Sequence, residues 1–163
     1  MTETMTLRAP RWRVHPRARW YWTVLGLRTC LIAAAVEGLW WLVADVRTAQ
    51  IVVAVASTVL GLGYLVIMPI WRYRVHRWET TDQAVYVQRG WFTVERRIAP
   101  ISRIQTVDTE RGPIELLFGL ARVTVTTASA AGPLAIHGLD APTADRLAEQ
   151  LTEITQATKG DAT

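Results

Sequence analysis

Two long apolar segments dominate the first half of the chain. The first covers positions 20–44 and the second covers positions 49–71. At a rise of about 1.5 Å per residue, each segment is long enough to cross a hydrocarbon core about 30 Å thick, so the pattern predicts two transmembrane helices. Only a short segment around Asp45 and Arg47 joins them. We therefore predict a tight antiparallel hairpin with both chain ends on one side of the bilayer.

Polar residues distinguish the two predicted helices. The first contains Arg28 and Glu37, whose charges are costly inside a bilayer unless the side chains reach toward its surfaces. They lie on opposite faces of one helix and cannot pair with each other, so either both reach toward the bilayer surfaces or they meet polar groups on other helices. We predict that at least one contacts a partner subunit. The second segment carries no charge, and its Ser57 and Gly61 have the small-xxx-small spacing that lets another helix approach closely. That helix is the first one or a helix of a second chain.

The period changes to two after position 72, which predicts β-strands. Val85 and Val87 alternate with Tyr86, and beyond Gly90 the run WFTVERRIA suits the second strand of a hairpin. Further strands are predicted in RIQTVDTE, RVTVTTAS and PLAIHGL, with an apolar turn, IELLFGL, between the first two. We count five or six strands, so the pattern predicts a β-rich domain over positions 72–156.

Helical spacing returns near the end of the chain. Ala144, Leu147 and Leu151 fall on one face of an amphipathic helix, and Asp140 is placed to cap its first turn. Residues 157–163 are polar, and we expect them to form a flexible tail. A strand-rich domain closed by one helix is the result.

Charge indicates which side of the bilayer holds the domain. The chain has 50% hydrophobic residues and a formal net charge of +4. Its arginines cluster on the flanks of the two apolar segments, as cytoplasmic flanks of membrane proteins do. The sequence therefore predicts a multi-pass plasma-membrane protein with cytoplasmic termini and a basic cytoplasmic segment over positions 1–19. The arginines predicted to contact anionic lipid are Arg11, Arg13, Arg17, Arg19, Arg72, Arg74 and Arg77.

Two other interpretations of the N-terminal region are less favoured. The basic and aromatic run RWRVHPRARWYW resembles a nucleic-acid-binding surface, but it directly adjoins an apolar span, so we expect no nucleic-acid partner. A cleaved secretory signal would also place basic residues before an apolar run. The run is longer than a signal requires and a second span follows closely, which favours an uncleaved anchor.

The sequence offers no convincing catalytic, metal-binding or cofactor-binding arrangement. His15, His76 and His137 lie in different segments without metal-ligand spacing, and we expect them to be surface or interface residues. Asp108 and Glu110 alternate on one predicted strand, a spacing that is also common on a solvated face. Cys30 is the single cysteine, so it forms no intrachain disulfide. We predict a protein without enzymatic activity, metal or cofactor.

A longer stretch of sequence resembles a known family. The run PISRIQTVDTERGPIELLFGLARVTVTTAS, followed by PLAIHGLDAPTADRLAEQL, is similar to the bacterial pleckstrin-homology-like (PH-like) domain of membrane-flanked proteins in its YdbS-like branch. That resemblance extends from about Trp20 to Leu151. It implies an α+β membrane protein in which a two-helix transmembrane hairpin precedes a bent, seven-stranded antiparallel barrel capped by a C-terminal helix.

The resemblance also implies a partner. Similar proteins often occur with a longer relative that carries several such domains, so we expect a hetero-oligomer with that kind of protein, or a homo-oligomer. The function expected is a membrane-anchored interaction or scaffold module, with a link to envelope stress or toxin tolerance as the process it would serve. The alternative is a small membrane enzyme acting on lipid. Phosphoinositide binding is not carried over, because the first hairpin loop, Glu79 to Gln83, contains no basic residue.

Overall fold

The computed structural model describes residues 9–128 and 132–160. Four α-helices are present in this part of the chain: α1 Ala18–Val43, α2 Arg47–Val75, α3 Pro113–Leu117 and α4 Ala141–Gly160. Seven strands accompany them: β1 Trp12–Arg13, β2 Arg77–Thr80, β3 Ala84–Gly90, β4 Val94–Pro100, β5 Ile104–Glu110, β6 Leu120–Thr127 and β7 Leu134–Asp140. A 3-10 turn, Ile101–Arg103, joins β4 to β5.

Helices α1 and α2 form the predicted antiparallel pair. Both are long and apolar enough to cross a membrane, and most of their side chains are exposed. Close packing extends along the pair, since a Cβ at Gly26 would lie 3.2 Å from Met68 and one at Gly61 would lie 3.5 Å from Cys30. At the far end, Gln50 Nε2 donates to the Ala44 carbonyl at 2.8 Å. The helices therefore contact each other from the domain to the connecting loop.

The strands form two antiparallel sheets, ordered β1-β2-β3-β4 and β5-β6-β7. The predicted hairpin is confirmed, because β3 pairs with β4 in a continuous register from Ala84–Pro100 to Gly90–Val94. The second strand starts at Val94, so Phe92 and Thr93 belong to the turn. The seven described strands are thus shared between two sheets and do not close into one barrel.

Helix α4 covers the core of the domain. Its predicted apolar face is confirmed, with Ala144, Leu147 and Leu151 buried against the sheets. The predicted cap is confirmed as well, because Asp140 Oδ2 accepts a hydrogen bond from the Thr143 amide at 3.3 Å. The helix extends to Gly160, so the first four residues of the predicted tail are helical, and residues 161–163 lie outside the described part. The α+β architecture with a capping helix is therefore confirmed.

Three elements, β1, β2 and α3, differ from the sequence-based expectation, and β1 and β2 are not among the five strand runs named there. Strand β1 comes from the segment that precedes α1 and pairs with β2, Trp12 opposite Trp78 and Arg13 opposite Arg77. The predicted apolar turn at 114–120 contains the short helix α3. Strands β1 and β2 raise the count from the five named runs to the seven that the resemblance implies.

The chain path gives the domain two distinct ends. Strand β2 leaves the helices and ends at the β2–β3 turn, residues 81–83, which we call the distal end. The Ile101 amide donates to the Gln83 carbonyl at 2.9 Å, so the 3-10 turn lies there too. Strand β3 then returns, which places the β3–β4 turn, residues 91–93, beside the helices at the proximal end. Helix α3 also lies at the proximal end, because Arg17 approaches Gly119 just after it.

Candidate functional site at the helix–domain junction

The helices join the domain without a linker. His76 is the one residue between the end of α2 and the start of β2. Gln88 Nε2, from β3, donates to the Val75 carbonyl at 3.0 Å and so satisfies a carbonyl that the helix end leaves unpaired. Gln88 Oε1 in turn accepts from Arg96 Nε at 2.8 Å. Side chains of two strands therefore fix the direction in which α2 enters the domain.

The segment before α1 is fixed to the opposite sheet. The His15 amide donates to the Gly138 carbonyl of β7 at 2.8 Å. Gly138 has a φ of +77°, and a Cβ there would lie 2.9 Å from the Cβ of Ala18. Only glycine combines this backbone conformation with so close an approach. The first turn of α1 therefore rests directly on the backbone of β7.

A separate hydrophobic cluster, which we call the junction core, unites the helices with the domain. It consists of residues from the N-terminal segment, both helices and β6: Val14, Ala18, Trp22, Met68 and Leu120. Tyr73, Trp78 and Phe118 pack around it. Because burying large apolar side chains contributes roughly 1.5–3 kcal/mol each, this cluster makes the helices and domain one folded body.

Polar side chains surround the junction core. The Arg72 guanidinium lies 5.4 Å from the ring centre of Trp22, and the imidazole of His76 packs against the same indole at 4.7 Å. His76 Nδ1 lies 2.8 Å from the Arg72 carbonyl. His76 is buried, which corrects the expectation of a surface or interface position.

Two histidines at the junction are neutral at physiological pH. Burial lowers the pKa of His76 to about 4, and burial together with the charge of Arg122 lowers the pKa of His137 to about 4. The two are near enough for the charge of His76 to contribute to the lowered pKa of His137. Protonating either imidazole would place a charge in an enclosed, arginine-rich environment.

The predicted lipid-contacting arginines occupy several positions around the junction. Arg19 and Arg13 lie over the ring of Tyr73, at 5.1 Å and 6.0 Å from its centre. Residues from both flanks of the helix pair thus meet at one aromatic ring. Arg74 is exposed, Arg77 is half-buried on β2 and Arg72 faces Trp22. The remaining two, Arg11 and Arg17, are exposed. Their contact with lipid stays a prediction.

The polar residues of the helix pair are separated. Arg28 is exposed, whereas Glu37 is half-buried and lines a groove of about 440 Å³ between α1 and α2. Ser57 and Gly61 line the same groove, with Gly61 facing Cys30 of α1. Ser57 Oγ donates to the Ala54 carbonyl of its own helix at 3.1 Å. The small residues thus bring α1 and α2 together beside an acidic side chain.

The carboxylates considered for catalysis have structural partners. Asp108 Oδ2 accepts from Thr106 Oγ1 at 3.2 Å, and Glu110 forms an ion pair with Arg122 at 3.2 Å. Among the described residues, no three His, Cys, Asp or Glu side chains converge to hold a metal ion.

Comparison with known proteins identifies the family. The family model described as Bacterial PH domain matches residues 22–155. The chain belongs to the bacterial PH domain family. A similar relative is the UPF0699 transmembrane protein YdbS of Bacillus subtilis (strain 168), which is 36% identical over 112 residues, 64% of this chain and 69% of the relative. No solved structure matches the chain. This bacterial PH domain protein is therefore a membrane protein whose domain follows two apolar helices.

Two structural features of this bacterial PH domain protein are not predicted by its sequence pattern. The pairing of β1 with β2 joins residues on opposite sides of both helices, and a strand of two residues gives no periodic signal. The turn residues Trp91 and Phe92 were assigned to a strand. Their signal is a pair of adjacent aromatic residues directly after Gly90, which cannot both face the core of a two-sided strand.

Proposed function

We propose that this protein is a non-catalytic, membrane-anchored scaffold that presents its PH-like domain in a fixed orientation to a larger membrane complex. The observation that supports this most strongly is the single-residue connection between α2 and β2, reinforced by the junction core. A domain that captures distant ligands benefits from a flexible tether. A domain that must dock onto a neighbouring subunit benefits from preorganisation, because less conformational entropy is lost on binding.

We further propose that the domain and both chain ends lie on the cytoplasmic side of the plasma membrane. Arg13 and Arg19, which lie over the ring of Tyr73, support this orientation, because arginine is enriched on the cytoplasmic side whereas aromatic rings mark either interface. Exposed arginines there attract anionic headgroups by about 1 kcal/mol each. Lipid attraction would hold the proximal end of the domain against the leaflet.

The partner, in this proposal, contributes a membrane helix that covers Glu37. A helical side chain points toward the N-terminus of its helix, which in α1 is the end at the domain. Arg28 can therefore extend toward the nearby interface, whereas Glu37 points away from its nearer helix end, Val43. Within the described residues, Glu37 has no hydrogen-bond or ion-pair partner. A donor or basic side chain on a neighbouring helix would satisfy the carboxylate, and a multi-PH-domain relative is the candidate that we favour.

The proposal is tested by purifying the tagged full-length chain from its native membranes in mild detergent. We expect one stoichiometric companion in the wild type. Interhelical hydrogen bonds in membranes contribute roughly 1–2 kcal/mol, so Glu37→Leu should reduce its recovery by about 5- to 30-fold. Glu37→Gln, which keeps a hydrogen-bonding group, should retain more of it. Arg28→Leu is the matched control on the same helix and should leave recovery unchanged.

Two outcomes would contradict the proposal. Recovery of a homogeneous monomer from the wild type would remove the scaffold function itself. Recovery of a companion that Glu37→Leu does not release would retain the scaffold but remove the assigned role of Glu37.

Such a complex would serve envelope stress or toxin tolerance, and a strain lacking the gene should then be more sensitive to envelope-active antibiotics.

A further inference from the structure

Two exposed apolar points project from the proximal end of the domain. Phe92, in the β3–β4 turn, is 89% exposed, and Leu117, at the end of α3, is 82% exposed. Leu116 beside it is also exposed. Large apolar side chains at adjacent, highly exposed positions are unfavourable in water and indicate a surface that contacts something apolar.

Phe92 and its neighbour in the β3–β4 turn lie deeper in the membrane than the arginines that flank the helices. The indole of Trp91 packs edge-on against the ring of Tyr64 on α2, 6.1 Å between centres, and it packs against Phe92 at 4.6 Å. Tyr64 precedes Arg72 by eight residues, or about 12 Å along the helix. The headgroup layer on each side of a bilayer is roughly 5–8 Å thick. With Arg72 at the headgroups, the rings of Trp91 and Phe92 reach the first part of the acyl chains.

The turn holds these rings in place. Gly90 has a φ of +141°, and a Cβ there would lie 1.9 Å from the Thr93 carbonyl oxygen, so the chain reverses too tightly for any other residue. Directly behind the turn, Arg89 and Glu95 face each other across the hairpin in an ion pair of 2.9 Å. The surface therefore changes from aromatic to charged within one or two residues, as expected for an element that crosses from acyl chains to headgroups.

Contacts within the domain hold α3, which carries Leu116 and Leu117, in place. Glu115 Oε2 accepts from the Gly112 amide at 2.8 Å and fixes the start of α3. Phe118 packs against the junction core, which directs the exposed leucines away from it. The side chain of Arg17, the residue before α1, approaches Gly119, which lies two residues after the end of α3. The end of α3 thus lies level with the arginines that precede α1, whereas the β3–β4 turn lies beside the membrane-spanning part of α2.

We propose that the β3–β4 turn and α3 are inserted into the leaflet on the domain's side of the membrane, with Trp91 and Phe92 among the upper acyl chains and Leu116 and Leu117 at the boundary between headgroups and acyl chains. The proximal end of the domain is then embedded in lipid on both sides of the helix pair. This inference requires the membrane location of α2 but no partner protein. It can therefore fail while the scaffold proposal stands, and the reverse also holds.

The test uses the full-length chain reconstituted into liposomes of phosphatidylethanolamine and phosphatidylglycerol at a low protein-to-lipid ratio. Cys30→Ala provides a cysteine-free background. Phe92→Cys, Leu117→Cys and, as a distal control, Gln83→Cys are each labelled with an environment-sensitive nitrobenzoxadiazole fluorophore. All three positions are exposed, so the substitutions leave the core intact. Quenching is measured with lipids that carry a nitroxide either on the headgroup or near the top of the acyl chain.

We expect blue-shifted emission at positions 92 and 117 and several-fold stronger quenching by acyl-chain nitroxides than at position 83. Water-like emission at 92 and 117, equal to that at 83, would overturn the proposal. Blue-shifted emission without nitroxide quenching would overturn it as well, because it would show burial against protein. Quenching at only one of the two positions would overturn it for the other element.

Discussion

Gly132 and Gly138 share a left-handed backbone conformation but differ in their surroundings. Their φ angles are +75° and +77°, yet a Cβ at Gly132 would contact nothing within 4 Å, whereas one at Gly138 would meet Ala18 at 2.9 Å. Gly132→Ala should cost about 1–2 kcal/mol through backbone strain alone. Gly138→Ala should cost on the order of 1–3 kcal/mol more, because α1 must move away from β7.

Thermal unfolding of both variants in detergent checks this prediction. Gly132→Ala is the matched control for the shared conformation. Equal losses of stability at the two positions would show that α1 does not rest on β7 as described.

The two neutral histidines predict a loss of stability in acid. The pKa of an unfolded histidine is about 6.5, whereas the pKa of His76 and of His137 is about 4. Between these values the unfolded chain binds more protons, so the free energy of unfolding decreases as the pH is lowered from about 6.5 to about 4. Above about pH 7 these two groups give no pH dependence. Each histidine accounts for a loss on the order of 3 kcal/mol.

Unfolding curves of wild type, His76→Gln and His137→Gln between pH 8 and pH 4 measure this loss. Values at pH 8 isolate the packing cost of each substitution. Each variant should show a shallower decline than the wild type between pH 6.5 and pH 4. An unchanged decline in both variants would assign the acid sensitivity to other groups.

Single residues were predictable where their role is local. Asp140 caps a helix that begins at the next residue, and Val85 and Val87 face the core because a strand alternates. The requirement for glycine at position 138 was not predictable, since it depends on Ala18 in a distant part of the chain. The burial of His76 depends in the same way on Trp22.

Strand β1 and the N-terminal segment make the domain dependent on residues outside its apparent boundaries. Val14 and Ala18 are buried in the junction core, which also contains Leu120 of β6. We therefore expect the fragment 72–160 to be much less stable than the domain within the full chain. Joining residues 9–17 to this fragment through a flexible Gly/Ser linker should recover stability, because β1 and Val14 can then return to their sites.

Denaturant unfolding followed by circular dichroism compares the two fragments. The linked fragment carrying Val14→Asp is the control and should resemble the unlinked one, since a buried carboxylate is costly. If the unlinked fragment were as stable as the linked one, the N-terminal segment would be peripheral to the fold.

Two glycines of α2 provide a test of the helix pair. Gly61 faces Cys30, whereas a Cβ at Gly63 would contact nothing within 4 Å. Gly61→Leu should push α1 and α2 apart and speed the alkylation of Cys30 by N-ethylmaleimide in membranes. Gly63→Leu adds the same volume in open space and should leave the rate near that of wild type. Equal rates in the two variants would contradict the packing.

Elements with a long, uniform pattern were predicted well, and elements defined by distant contacts were not. The spans at 20–44 and 49–71 correspond to α1 and α2, and the paired strands β3 and β4 follow from alternation and Gly90. Strand β1 has two residues and a partner on the other side of both helices, and α3 has five residues, so neither is long enough to repeat its period.

At the scale of the whole molecule, the hairpin predicts where each part can be labelled. In the Cys30→Ala background, Asp45→Cys lies in the helix connection and Gln83→Cys lies at the distal end of the domain. With cytoplasmic termini, a membrane-impermeant maleimide added to intact cells should label position 45 and leave position 83 unlabelled. Permeabilised cells, the control for reactivity, should label both. Labelling of position 83 in intact cells would reverse the orientation.

The one-residue connection at His76 couples the tilt of α2 in the membrane to the position of the domain. The apolar part of α2, positions 49–71, measures about 34 Å against a hydrocarbon core of about 30 Å, so its angle in the membrane depends on how thick the bilayer is. Because one residue joins α2 to β2 and the junction core packs against both, tilting the end of α2 beyond Pro69 swings the turn at residues 81–83 with it. Local thinning or thickening of the membrane would thereby be converted into sideways movement of the far tip.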